Sequence, residues 1–447
     1  MTGQSISTTS PEAGKSTNGP YSWGARSKTA YPVQWAVGLL SCIPAWEEER
    51  VPQRVLLTSF HGDGYRGNTR ILFEHLCRHP ELEPVWLSRN PVLVRTLKER
   101  FGDERACLTH SLTGIRMLRS AGAVFLTHGT SDYPFMRLPR HSLVIQTYHG
   151  LPTKRGEYLR PKSDRRPGFL HRKILDYRFR PINLFLSSSP LVSELFASRF
   201  NIPSERFLET GFPAYDGLMQ LRQPVSHEAS GGSGKPLHGV PELIAETVRE
   251  PGNTLDRLWQ AAPPAEKLIL YAPTFRRRKR THWFPFHDLD LKGLARWLEE
   301  QNALMALRAH PNDDLDVTRY SHISPRFVSA DQTVAEDAAE LLPLTDAIVS
   351  DYSSIYLEGL LLDIPAVFLP YDLHSYERGL PLSYEQVAPG PFHNTQSGLL
   401  TALTKALTRT DGFEEERSRV RKLFFSSTNG GATGRVIRFL EEQLLRQ

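Results

Sequence analysis

Three small hydroxyl residues and one carboxylate crowd the five positions Ser350-Asp351-Tyr352-Ser353-Ser354. The apolar run 347–349 before them reads as a buried strand. Ile355, Leu357, Leu360 and Leu361 after them recur at helical spacing. Ser353 or Asp351 can cap that helix by accepting a bond from an unpaired backbone N–H. A strand that ends in hydroxyls and opens a helix suits an anion, because first-turn N–H groups and the helix dipole both favour negative charge. Phosphate is the usual biological guest. Simple capping by Asp351 and the serines accounts for the same local pattern equally well.

A second candidate is the turn His61-Gly62-Asp63-Gly64-Tyr65-Arg66-Gly67, which follows a strand-like stretch at 54–60. Gly62, Gly64 and Gly67 have the G-x-G-x-x-G spacing, with Asn68 as the expected cap of a helix through Arg78. A dinucleotide fold also wants an acid at the end of the second strand. The stretch 85–88 ends instead in Arg89-Asn90, which argues against NAD and leaves Arg89 as a formal partner for NADP. Gly14-Lys15-Ser16-Thr17 is not a phosphate loop: Thr9 stands where a glycine is needed, and no strand precedes it. Asp313, Asp314 and Asp316 look like a metal cluster, but three acids in one loop are ordinarily solvated. No metal and no cofactor are expected, since no metal-ligand spacing is clear.

The elements that must position these groups alternate between strand and helix. Strands are expected at 54–60, 85–88, 123–127, 143–147 and 182–186, with helices over 68–78, 111–121 and 190–200. His128 and His149 each follow a strand. Residues 226–239 include Gly231-Gly232-Ser233-Gly234 and have little to bury. A second series then has strands at 268–271, 303–307, 347–349 and 366–369. Such alternation predicts parallel sheets covered by helices, with ligands bound beyond the carboxyl ends of the strands. The chain divides into a peripheral or disordered segment 1–50, an α/β unit 51–220, a linker or insert 221–262, a second α/β unit 263–430 and a closing helix in 431–447.

The bulk properties are compatible with that plan. The 447 residues suffice for two or three domains, and 40% hydrophobic with 23% charged residues is ordinary for a soluble globular chain. A net charge of +5 fits an anionic substrate, an anionic membrane surface or nucleic acid without separating them. Cys42, Cys77 and Cys107 read as free thiols of a reducing compartment. No apolar run approaches the roughly 20 residues that span a bilayer, and the first 30 residues lack the apolar block of a signal peptide.

Asp351-Tyr352-Ser353-Ser354, followed by Pro365-Ala366-Val367-Phe368-Leu369-Pro370-Tyr371-Asp372-Leu373, resembles the C-terminal signature of the CDP-glycerol glycerophosphotransferases. These are the polymerases and primases of teichoic acids and related capsule polymers. Thr147-Tyr148-His149-Gly150-Leu151-Pro152-Thr153-Lys154, Gly211-Phe212-Pro213-Ala214-Tyr215-Asp216, Leu270-Tyr271-Ala272-Pro273-Thr274-Phe275-Arg276 and Arg308-Ala309-His310-Pro311 fall in the family's order. Arg378-Gly379 and Pro389-Gly390-Pro391 extend the match, which covers residues 54–447. The resemblance implies an α/β protein of GT-B type, two Rossmann-like domains with a cleft between them. It also implies a C-terminal helix, here about 434–445, that returns to the first domain.

The implied reaction moves glycerol phosphate, or a related polyol phosphate, from a CDP-activated donor to a polymer hydroxyl and releases CMP. The attacking alcohol needs a base, and the phosphates need cations or N–H groups. Histidine suits the base role because it is partly neutral at pH 7. The family's histidines map onto His149 and His310, one from each unit, with His149 as base toward the acceptor and His310 as donor to the nucleotide phosphates. Ser353 and Ser354 then hold the pyrophosphate, and Asp351 orients His310 or a serine. Thr274 and Arg276 reach phosphate, while Asp372 and Arg378 close the cleft. Glu358 bonds a ribose or glycerol hydroxyl, or else packs toward the core. Gly62 lies on the acceptor side. Two departures, Ala214 for the family's arginine and Leu151 for its Thr or Ser, bear on the substrate more than on the reaction class.

The stretch 154–180 holds ten Lys or Arg against three acids, an excess of +7, with Tyr158, Phe169, Leu170, Ile174 and Leu175 interleaved. Lys154, Arg155, Arg165, Arg166, Arg172 and Lys173 therefore make an acceptor-side or membrane-facing segment, since the resembled enzymes act on anionic, lipid-linked polymers at the inner face of the cytoplasmic membrane. The expected partners are CDP-glycerol or a related CDP-polyol, an anionic polymer or lipid-linked acceptor, and that membrane surface. Two alternatives remain at this stage. One is a GT-B glycosyltransferase using a nucleotide sugar. The other is a non-enzymatic binder of anions or nucleic acid, for which no reading motif is present.

Overall fold

Seven short apolar runs associate into one parallel sheet: β1 (Val51–Leu57), β2 (Glu83–Ser88), β3 (Ala106–Leu108), β4 (Ala121–Leu126), β5 (Leu143–Gln146), β6 (Leu184–Leu186) and β7 (Phe207–Leu208). Five more form a second: β8 (Lys267–Tyr271), β9 (Ala303–Leu307), β10 (Phe327–Ser329), β11 (Ala347–Ser350) and β12 (Ala366–Phe368). This computed structural model describes residues 49–155, 179–221, 262–276, 281–310, 315–335, 337–376 and 379–446, with Phe169, Lys173, Asp176, Tyr177 and Asp313 besides. The strand orders are β3-β2-β1-β4-β5-β6-β7 and β10-β9-β8-β11-β12, and every pairing within them is parallel.

Both orders reverse direction beside their first strand, between β1 and β4 and between β8 and β11. That is the doubly wound, Rossmann-like arrangement, and a ligand crevice opens at the carboxyl ends where the order reverses. Helices cover both faces, so the central strands read as continuous apolar runs instead of alternating. All of β4, β9 and β11 is buried. Each large apolar side chain so placed contributes about 1.5–3 kcal/mol relative to exposure. The fold class is therefore α/β with two Rossmann-like sheets.

The chain's end ties the halves together. The helix Ala432–Leu444 packs on the first half, and its free N-terminal N–H groups are satisfied there: Ala432 N and Thr433 N each donate to the Asp216 carboxylate at 2.8 Å. His79 and Glu441 meet at 2.9 Å, and Arg435 Nε donates to the Thr210 carbonyl at 2.7 Å. Just before it, Ser188 and Ser189 hydroxyls donate to the carbonyls of Phe424 and Leu423, each at 2.7 Å.

Three local expectations need correction. β1 starts earlier and stops at Leu57, because Phe60 and His61 turn the chain with positive φ of 48° and 64°. Asn68 does not cap the following helix, which begins at Gly67 with no side-chain cap. Its amide instead bridges loops, donating toward the Thr147 and Tyr148 carbonyls and accepting from Ala214 N at 3.0 Å. Finally, the helix after Ser354 spans only Ile355–Gly359 before tightening into the 3-10 turn Leu360–Leu362, and neither Ser353 nor Asp351 caps it. Among the described residues no helix is long and apolar enough to cross a membrane.

Candidate active site

The loops leaving β1, β4 and β5 converge at the carboxyl edge of the first sheet. The β4 loop is organised around Asp132, which is fully buried. Its carboxylate accepts from the backbone N–H of Thr127, His128 and His61 and from the Thr127 hydroxyl. Gly62 packs so tightly on this loop that a Cβ there would lie 2.8 Å from the Asp132 carbonyl, and its φ of +83° favours glycine. Its carbonyl accepts from Ser88 Oγ and Arg89 N, and Arg89 is ion-paired with Asp63. The glycine turn is thus folded onto the end of β2, and Arg89 is engaged there instead of facing a ribose phosphate.

His149 reaches the same edge from β5. Its Nδ1 lies 3.2 Å from the Thr127 carbonyl. A carbonyl only accepts, so Nδ1 carries the proton and Nε2 presents a lone pair. The residue is exposed. Even so, the surrounding protein penalises the charged ring, and the guanidinium cations of Arg199 and Arg66 add to this; the Thr127 bond only partly opposes them, leaving the pKa well below its ordinary value. The ring is neutral at pH 7 and able to accept a proton. His128, which the sequence placed at this edge without a role, stacks on it, and His61 lies tilted against the far face of His128.

The second sheet contributes loops from the ends of β8, β9, β11 and β12. Asp351, 1% exposed, binds the β8 loop: Oδ1 accepts from Thr274 N at 2.8 Å and Oδ2 pairs with Arg276 at 2.9 Å. It therefore orients the Thr274–Arg276 turn instead of His310 or a serine. Arg276 is itself buried, with Asp372 held in two bonds of 2.9 and 2.7 Å. Tyr352, Tyr371 and Tyr376 surround its guanidinium at 5.1–5.2 Å. Burial pushes the Asp372 carboxyl up, but the Arg276 guanidinium outweighs it and holds the pKa below the usual range. Arg276 and Asp372 thus lock the loop ends together instead of reaching outward. Thr274 stays a candidate ligand contact, because its buried hydroxyl has no hydrogen-bond partner in the structure.

His310 follows β9 and is exposed, its ring stacked over Phe275 at 5.0 Å. The Ser353-Ser354 turn faces the His149 loop: a Cβ on Gly150, where φ is +151°, would sit 3.8 Å from Ser354 Oγ. Glu358 lies one turn on, buried, and its carboxyl is hydrogen-bonded by Tyr215 and Ser354. It takes the core-facing alternative and joins the two halves instead of presenting itself to a sugar. Arg155, exposed, donates from Nε to the Leu380 carbonyl at 2.9 Å, while its own N–H donates to the Gly379 carbonyl at 3.2 Å. Lys154 lies beside it, its carbonyl accepting from Arg199.

Arg378, Arg165, Arg166 and Arg172 lie outside the described residues, as do residues 277–280 and Asp314. Asp316 is bonded to Thr318, and among the described residues no cluster able to hold a metal ion is found. Asp132 and Tyr215 were missed by sequence reasoning and Asn68 was read only as a cap, since each bonds a partner distant in the chain: His61, Glu358 and Ala214 respectively.

This geometry can be set beside known proteins. The family model described as "CDP-Glycerol:Poly(glycerophosphate) glycerophosphotransferase" matches residues 45–232 and 239–442. The chain belongs to this family. Among curated members, a teichoic acid glycerol-phosphate transferase of Staphylococcus aureus (strain NCTC 8325 / PS 47) is 25% identical over 414 residues, covering 87% of this chain and 93% of the relative. A teichoic acid poly(glycerol phosphate) polymerase of Staphylococcus epidermidis is 22% identical over 87% of this chain and 50% of its own length. The chain therefore spans nearly all of the first and half of the second. The fold of this glycerophosphotransferase family member is similar to the solved structure of the wall teichoic acid polymerase TagF, with a TM-score of 0.71, 20% identity and coverage of 94% of this chain and 95% of that one.

Proposed function

We propose that this chain transfers glycerol phosphate, or a related polyol phosphate, from a CDP-activated donor to a hydroxyl of a teichoic-acid-type polymer or its lipid-linked precursor. The observation that carries the reading is the lone pair left on His149 Nε2 by the Thr127 carbonyl, on a loop whose Gly150 lies beside Ser354. The acceptor oxygen attacks the phosphorus that bears glycerol, and its proton passes to Nε2. The bond from that phosphorus to the bridging oxygen breaks, and CMP leaves with the bond's electron pair. The incoming pyrophosphate brings negative charge beside a ring held neutral by desolvation and by nearby arginines, so the ring's proton affinity rises as the proton moves.

On the donor side, His310, the Ser353 and Ser354 hydroxyls and the Thr274 hydroxyl are the groups assigned to the phosphates. Arg276, Asp351 and Asp372 keep these loops in register. Docking at an anionic membrane surface belongs to the same reading. Its support is the +7 excess over 154–180 together with exposed Phe169 and Tyr177. The test is incubation of purified protein with CDP-glycerol and a glycerol-phosphate primer. CMP release with a new phosphodiester, seen by phosphorus NMR, is expected. Glycoside formation from a nucleotide sugar without CMP release would overturn it.

A further inference from the structure

His149 does not stand alone. His128 lies face to face with it, centroids 3.8 Å apart and planes only 2° from parallel. His61 lies 4.3 Å beyond His128, and Tyr148 covers the other face of His149 at 4.1 Å. The Arg199 guanidinium stands over Tyr148 at 5.6 Å. Three rings therefore form one stack with His61 tilted against its end, and the proposed base is held between the other two. Both inner histidines hang from one residue: Thr127 offers its carbonyl to His149 Nδ1 and its hydroxyl to His128 Nδ1, the latter at 2.9 Å. Asp132 fixes Thr127 in turn through its N–H and hydroxyl, and His61 Nδ1 meets Ser131 Oγ at 3.1 Å.

We infer that His128 is a positioning residue for His149, fixing the plane of its ring and, once charged, opposing a proton there. This rests on the reading of His149 as base. Two imidazolium rings at this separation repel, so a charge on one opposes a charge on the other. The surroundings of the two rings differ. His128 Nδ1 has the Asp132 carboxylate 3.9 Å away. The cations acting on His149 are Arg199 from the helix Pro190–Phe200 and Arg66 from the turn after β1, while the His61 ring faces His128. The carboxylate favours charge on His128 and the arginines disfavour it on His149, which leaves Nε2 open to the acceptor hydroxyl. A ring clamped flat also presents that lone pair in one direction, which a proton transfer at hydrogen-bond distance requires.

The experiment uses the full chain with histidine labelled for carbon-detected NMR titration, comparing the parent with His128→Phe and, should that variant fold poorly, His128→Asn. His128→Phe keeps a ring in the stack but removes the competing proton site. The His149 resonance, assigned from His149→Ala, is expected to titrate about one pH unit higher in the variant. The acid limb of kcat/KM for CDP-glycerol should move up with it, while KM for the donor changes little. An unchanged His149 titration in both variants overturns the inference, whatever happens to turnover. Failure of the base reading shows separately, as near-normal turnover in His149→Ala.

Discussion

Replacing Glu358 by glutamine should stabilise this protein, and more so as pH rises. Glu358 is 7% exposed and sits where the two halves meet, hydrogen-bonded by Tyr215 from one and Ser354 from the other. Burial first, then the nearby Asp337 carboxylate, push its pKa up to about 8. In the unfolded chain a glutamate titrates near 4.3, roughly the solvated value. Between those limits the unfolded state has released a proton that the folded state keeps. Stability therefore falls as pH rises, by about 1.4 kcal/mol per unit, and levels off once both states are ionised. The accumulated cost is roughly 3–5 kcal/mol on the alkaline side. Glutamine copies the protonated carboxyl in shape and can still bond both hydroxyls. Thermal melts at mildly acidic and mildly alkaline pH read the difference between parent and Glu358→Gln. The two should lie within about 1–2 kcal/mol at pH 5, and the variant should melt several degrees higher at pH 8.5. Asp337→Asn should flatten the parent's slope. An equal melting difference at both pH values, or a variant less stable at both, refutes the reasoning.

His149→Ala and His310→Ala should each slow transfer by about 10²–10⁴-fold with the fold intact, measured as CMP release; near-normal rates in both would remove them from the chemistry. Arg276→Ala leaves the buried Asp351 carboxylate without its cation and should cost about 3–5 kcal/mol in denaturant unfolding, whereas a neutral result would mean the cluster carries no load. Activity should survive EDTA if hydroxyls, N–H groups and cationic side chains suffice for the pyrophosphate; loss restored by Mg²⁺ or Mn²⁺ would show otherwise. Reversing Arg165, Arg166, Arg172 and Lys173 to Glu should abolish salt-sensitive sedimentation with anionic vesicles while leaving affinity for the CDP donor unchanged, and parent-like sedimentation would make the segment a solvated face.

Strand–helix alternation was legible because it is a local property. Runs such as Ala303–Leu307 and Ala347–Ser350 are apolar throughout, and only a sheet covered on both faces accommodates them. The strand ends were legible too, so Thr274, His310, Ser353 and His149 could be placed at the carboxyl edges from sequence. What those side chains do there was not. Arg276 and Asp372 are 96 positions apart, Glu358 and Tyr215 more than a hundred, and no spacing rule links such pairs. Only the folded chain decided that Arg276 is spent on two carboxylates, that Asp351 binds a neighbouring loop instead of capping its own helix, and that Asn68 bridges two loops. The stack of His128 on His149 likewise follows from β4 and β5 lying side by side in the sheet. Residue types set which chemistry was available. Strand order decided which residues meet, because parallel strands bring the ends of distant segments to one edge.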